Sequence, residues 1–202
     1  MSKADQTREH VLRAGLSLIR AKGVGAVSMA DVAVASGVTR QTVYFYFKNR
    51  ATLLAEIVRY HDVSHGKAIF AATTMASGRE GLEAFIRAWF AYLPEIFSVA
   101  RELEALAASD SEVRRSWLSR QDALKAMART IMEKLDRQEA LQDGWNVEEA
   151  AEWLCAQLFP SQWQGLVIDR KWHVGRYVDV VVGNVDVVLC AGRARKGSRV
   201  KS

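Results

Sequence analysis

Cysteine and proline are both scarce, with two of each in 202 residues. Cys155 and Cys190 are too few and too widely separated for a disulfide scaffold, and no paired CxxC units mark a zinc site. Both thiols are therefore expected to be reduced and buried. With proline only at 94 and 160, long helices can run with little interruption. Nowhere is there an unbroken apolar stretch of about 20 residues, the length that a bilayer demands. The N-terminal run Lys3, Asp5, Arg8, Glu9 and Arg13 is charged and has no apolar signal core. A cytoplasmic location is the expectation. The four histidines and two cysteines form no nucleophile and base arrangement, and GxSxG, GxxxxGK and HExxH are all missing. These gaps argue against an enzyme and leave no cofactor to expect. No repeat or low-complexity tract precedes the last dozen residues.

What remains is half apolar and a quarter charged, the composition of a compact helical chain with enough length for one domain or two small ones. The net charge of +5 hides a division. Residues 1–60 carry 9 Lys/Arg against 4 Asp/Glu, residues 61–190 carry 14 against 19, and the last twelve carry 5 against none. A cationic module beside an anionic body suits a protein that brings one end to phosphate. Attraction to a membrane surface would also explain a basic end, but these cations sit on a turn-linked helix pair and not on a long amphipathic helix with an aromatic face.

That helix pair is the stretch 28–50, SMADVAVASGVTRQTVYFYFKNR. Ser28 is placed to cap a short helix with Met29, Val32 and Ala33 on one side, and Gly37 supplies the left-handed backbone of a tight turn. Thr39 caps the next helix. Val43 and Phe47, four apart, turn toward the core, while Arg40, Gln41 and Tyr44 share the opposite face. Arginine matches guanine O6 and N7, and glutamine pairs with adenine, so Arg40 and Gln41 are the candidates for base contacts. Thr39, Thr42, Tyr44, Tyr46, Lys48 and Arg50 have the donors that phosphate oxygens accept. Ser28 completes the expected DNA-facing set. On a lone helix the same residues would read as a solvated face; the bipartite helix-turn-helix context favours recognition.

Elsewhere the 3.6-residue period predicts helices throughout, hence an all-α fold. The first spans Gln6 to Ala21, with Val11, Leu12, Gly15, Leu18 and Ile19 as its apolar stripe and Gly23 as its end. A fourth helix, capped by Asn49, carries Leu53, Leu54, Ile57, Val58, His61 and His65 on one face and continues to about Ala72 as a bridge. Thr73 to Arg79 reads as a loop. Glu80–Ala108 with an irregularity at Pro94, Glu112–Glu139, Val147–Asp169 bent at Pro160, and His173–Ala191 complete the pattern. Residues 176–190 also fit a valine-rich hairpin turning at Gly183-Asn184, but Val178, Val181, Val185 and Val188 keep helical spacing and a lone hairpin has no sheet to join. The predicted organisation is a helix-turn-helix domain over 1–50, with the first part of the bridge reaching about 65, a helical effector and dimerisation domain over 51–191, and a basic disordered tail over 192–202. The segments 147–169 and 173–191 are the candidate dimer helices. Pairing by a dyad would set two reading helices about one DNA turn, ~34 Å, apart.

All six tryptophans, at 89, 117, 145, 153, 163 and 172, lie outside the reading segment. The candidate small-molecule contacts are His61, His65, Trp89, Phe90, Tyr92, Trp117, Trp153 and Phe159, although aromatics at helical spacing also serve simply as core. His61 and His65 have the i, i+4 spacing of metal ligands, but no Asp, Glu or Cys stands at a matching spacing, so no metal is expected.

The series Arg8, Val11, Leu12, Ala14, Leu18, Ile19, Gly23, Ser28, Val32, Ala33, Gly37-Val38-Thr39, Thr42-Val43-Tyr44, Tyr46-Phe47 and Leu53-Leu54 resembles the tetracycline-repressor (TetR) family of bacterial transcriptional regulators. The resemblance covers residues 8 to 54. It implies a homodimer joined through the last two long helices, binding palindromic operator DNA and released by a small-molecule effector. Two departures stand out: Ala51 occupies a position that is often acidic in the family, and Ala30 is too short for a groove contact that some members make. Both shift the expected specificity onto Arg40, Gln41 and Thr42. Two other readings stay open: a constitutive or architectural DNA-binding protein without effector, and a helical protein-interaction module whose basic end docks on an acidic partner.

Overall fold

A computed structural model of the chain describes residues 2–191; the side chains of Ala26, Ser64 and His65, and the whole basic tail 192–202, lie outside the described residues. The chain is helical, and it divides into two compact units, 1–68 with 89–124 and 69–88 with 125 onward.

In the first unit, α1 (Lys3–Lys22) opens on a capping box between Ser2 and Asp5 and stops at Gly23, whose φ of 81° is open to glycine. Val11, Leu12, Leu16 and Ile19 are its buried stripe; Leu18, assigned to that stripe from the sequence, is only half-buried. Leu16 takes its place, because α1 packs against both α2 (Met29–Ala35) and α4 (Arg50–His65) and so buries more than one narrow seam. A Cβ at Gly15 would stand 2.6 Å from the Ile57 side chain, which shows how closely α1 approaches α4. On α4, Leu53, Leu54, Ile57, Val58 and His61 form one buried face, as their spacing predicts.

The bridge is shorter than expected. Helix α4 ends at His65, Gly66 caps it by donating its N–H to the Asp62 carbonyl at 2.8 Å, and a separate helix α5 (Lys67–Thr73) follows. The apolar period runs on past the break, so periodicity alone did not mark it. Helices α6 (Gly78–Leu106) and α7 (Ser111–Arg137) contribute residues to both units. Pro94 lies on the exposed face of α6 and does not interrupt it.

The second unit contains α8 (Val147–Gln157), the single turn α9 (Pro160–Trp163), a π-helical turn Gln164–Ile168, and α10 (Val174–Leu189). Pro160 sits at the first position of α9, where its missing N–H costs nothing, so the expected bend becomes a break after Gln157. Residues 174–189 are helical, with Tyr177, Val178, Val181, Val185 and Leu189 facing inward. Lys134 donates to the carbonyls of Thr73 and Met75, both at 2.6 Å, and thereby holds the loop between α5 and α6. Cys190 is buried and Cys155 is half-buried; both are free thiols, and burial pushes each up to about 11. Cys155 is thus less enclosed than expected.

Candidate nucleic-acid interface

Each end of the helix pair is fixed by its own sequence. Ser28 caps α2, its hydroxyl accepting from the Asp31 N–H at 3.2 Å while its own N–H donates to the Asp31 carboxylate at 3.0 Å. These bonds from Ser28 hold the Asp31 carboxyl below its ordinary range. At the far end of α2 the Ser36 hydroxyl donates to Val32 O at 2.6 Å, and Gly37 turns the chain with φ 64°. Thr39 then caps α3 (Arg40–Tyr46), accepting from the Thr42 N–H at 3.1 Å, and the two threonine hydroxyls meet at 2.9 Å.

Val43 and Phe47 are fully buried, and the Arg8 guanidinium lies over the Phe47 ring, 5.5 Å from its centroid. Arg40, Gln41, Tyr44 and Phe45 are exposed, and Thr42 and Tyr46 are half-buried. Phe45 was missed by the sequence reading, which assigned the outer face by polar chemistry alone. Lys48 is exposed and pairs with Glu112 at 3.1 Å. Arg50 is employed differently from the phosphate role expected of it. Its Nε and Nη2 donate to the carbonyls of Val27 and Val24, both at 2.6 Å, and its Nη1 to Glu102. It staples the turn between α1 and α2 to α6 and sits half-buried as it does so.

Four of the candidate small-molecule contacts come together in the same unit. Arg120 of α7 donates to Asp62 through Nε at 2.9 Å and Nη2 at 3.3 Å, and its guanidinium carbon lies 5.4 Å from the Trp89 ring and 5.7 Å from the Trp117 ring. The Tyr92 hydroxyl also donates to Asp62, and burial together with the Asp62 charge pushes that phenol well above its usual range. His61, fully buried, packs edge-on against Tyr92 at 5.2 Å; its Nε2 lies 3.0 Å from Glu95 and 3.4 Å from Arg20 of α1. Burial opposes the charge of Arg120, but the neighbouring Asp62 outweighs it and raises the arginine's already high value.

Of the other candidates, Trp153 and Phe159 lie in the second unit. Phe90 is buried in the first unit. Trp153 in the second unit stacks on Trp145 at 5.8 Å, and Phe159 precedes α9, half-buried. The side chain of His65 is outside the described residues. A half-open groove of about 890 Å³ in the second unit is lined by Arg79, Glu83, Ile86, Val182, Asp186 and Val187 among others, and by none of the residues singled out for ligand binding. Among the described residues no group of three or more His, Cys, Asp or Glu is arranged to hold a metal, and no helix is long and apolar enough to cross a membrane.

Residues 11–57 match the family model described as bacterial regulatory proteins, tetR family. The HTH-type transcriptional regulator AcrR of Shigella flexneri is 40% identical over 65 residues, 32% of this chain and 30% of that protein, so under a third of that relative's length is spanned. Across nearly the whole chain the fold is similar to solved structures. A transcriptional regulator from Saccharomonospora viridis in complex with choline superposes with a TM-score of 0.78 at 18% identity, over 93% of this chain and 100% of that one. SmeT, the repressor of the Stenotrophomonas maltophilia multidrug efflux pump SmeDEF, gives 0.67 at 18% identity, over 91% and 90%. The N-terminal segment 11–57 is thus similar to the DNA-binding part of the TetR family of transcriptional regulators, and the fold of the described length is similar to solved structures of such regulators.

Proposed function

We propose that this chain is a homodimeric, ligand-responsive repressor that binds a palindromic operator through the outer face of α3. The observation that carries the reading is the division of that helix, with Val43 and Phe47 fully buried and Arg40, Gln41 and Tyr44 exposed. Arg40 and Gln41 supply base contacts. Thr39, Thr42, Tyr44, Tyr46 and Lys48 supply phosphate contacts, whereas Arg50 already spends its donors internally. Ser28 anchors the helix pair. Residues 1–50 act as the reading domain, 51–191 as the body, and 192–202 as added positive charge. The body pairs with a second copy through 147–169 and 173–191, where Ile168, Trp172, Val174 and Val187 present apolar surface.

The effector acts at Asp62–Arg120. An organic cation could take the Trp89 and Trp117 faces and the Asp62 carboxylate that Arg120 now uses, and the choline complex of one structural neighbour supports that class. Such a ligand lowers operator affinity by the margin with which it favours the state that does not bind DNA. Work in the cytoplasm, without a cofactor or a catalytic step, follows from this reading.

Site selection from random duplexes followed by titration tests it. An inverted repeat should emerge, and Arg40→Ala should weaken binding to it by roughly 1–3 kcal/mol and relax base preference, whereas Lys48→Ala should weaken all sequences alike and flatten the salt dependence. The absence of any selected repeat would overturn it.

A further inference from the structure

We infer that Phe45 reads a thymine, making an apolar contact with its 5-methyl group at the centre of the reading face. The inference rests on the operator-binding reading above and extends it to a residue that no polar pairing rule selects. At about 100° per residue, Phe45 lies about 180° from the midpoint of Val43 and Phe47. It therefore points directly away from the buried side of α3, further outward than Gln41 and Thr42, which flank it at about 40° and 60°.

The side chain placed there is apolar and 81% exposed. Its ring meets Tyr46 edge-on, with centroids 5.1 Å apart and planes at 79°, which limits the positions it can take. Scattered exposed apolar residues are ordinary on a protein surface, and Val34 on α2 is another. Phe45 differs in its place, since a helix that enters a major groove carries its outermost side chain deepest. Base edges there offer hydrogen-bond donors and acceptors and one apolar group, the thymine methyl. Over any other base, Phe45 would cover polar edges without satisfying them, so it should both favour thymine and disfavour guanine and cytosine at its position.

Replacing each thymine of a selected half-site by deoxyuridine removes one methyl group and leaves all hydrogen-bonding groups in place. With the intact protein, one such replacement should lower affinity about threefold to tenfold, and the others should have little effect. Phe45→Ala should bind the thymine duplex about that much more weakly and should no longer distinguish it from the deoxyuridine duplex, with an unchanged salt slope because no phosphate contact is lost. Phe45→Leu, which keeps an apolar tip, should retain part of the discrimination and serves if the alanine variant folds poorly. The inference fails if no single deoxyuridine weakens binding of the intact protein, or if the variants discriminate as it does. Equal losses on both duplexes would mean that Phe45 packs on sugar or protein, and would also overturn it. If no duplex is bound specifically at all, the operator-binding reading itself has failed, and this inference with it.

Discussion

Arg40 and Arg50 stand on either side of one short helix, and they use the same side chain in opposite ways. Arg40 is exposed, and among the described residues it has no carboxylate within ion-pair reach. Arg50 has three partners inside the protein, the carbonyls of Val24 and Val27 and the carboxylate of Glu102. The contrast extends through the first unit: Arg8 meets Glu56, Arg20 meets Glu95, and Arg120 meets Asp62. Arginines on the seam between α1, α4, α6 and α7 fix the frame, whereas the one at the start of α3 makes no ion pair among the described residues. Counting basic residues in a segment therefore overstates how many can face phosphate.

The sharpest way to break the comparison uses the two phenylalanines of α3. Phe47→Ala should cost about 3–5 kcal/mol in urea unfolding, because Phe47 is fully buried, whereas Phe45→Ala should change stability by less than about 0.5 kcal/mol. Similar losses for both would mean that α3 is rotated from the orientation described. Next, Asp62→Ala should cost about 3 kcal/mol by leaving Arg120, with 17% of its side chain exposed, beside two tryptophans without its anion. Calorimetry of Asp62→Leu combined with Arg120→Met should show a smaller loss than the single variant, since no charge is then stranded. A smaller effect separates the two arginines: Arg50→Ala should lower stability by about 1–2 kcal/mol, reduced from a fully buried pair by its partial exposure, and Arg40→Ala by less than about 0.5 kcal/mol. A loss smaller than that of Arg50 is expected at the start of α2. Ser28→Ala should cost about 1 kcal/mol through the lost cap. Asp31 is held below its unfolded value, so its stabilisation is complete above about pH 4 and is lost as the pH falls through its folded value. Asp31→Asn should accordingly flatten the acid limb of a stability profile.

Much of this was legible in the sequence because local chemistry and long-range packing agree. Ser28, Thr39 and Asn49 cap the helices that their types suggest, Gly37 turns where only a positive φ fits, and Val43 and Phe47 bury the side that their spacing selects. The helical state of 174–189 was legible from period against propensity, valines notwithstanding. What stayed hidden depends on partners distant in sequence. Asp62 and Arg120 are 58 positions apart, and nothing near either one names the other. Arg50 looked like a phosphate ligand because two of its partners are carbonyls, which carry no residue signature, and the third, Glu102, stands 52 positions away. Phe45 was passed over because apolar residues are assigned to cores by default. The gathering of His61, Trp89, Tyr92 and Trp117 in one unit was signalled only by residue type.

Asp62 is tethered at both ends. Its carbonyl receives the Gly66 N–H at 2.8 Å, and its carboxylate receives Arg120 and Tyr92. A Cβ on residue 66 would fall 2.5 Å from that carbonyl oxygen, so even alanine there must displace the Asp62 backbone and with it the anion. Under the proposed effector role of Asp62, genetic screens for altered inducibility should return substitutions at this glycine, and such alleles would be misread as folding defects unless their unfolding curves were measured.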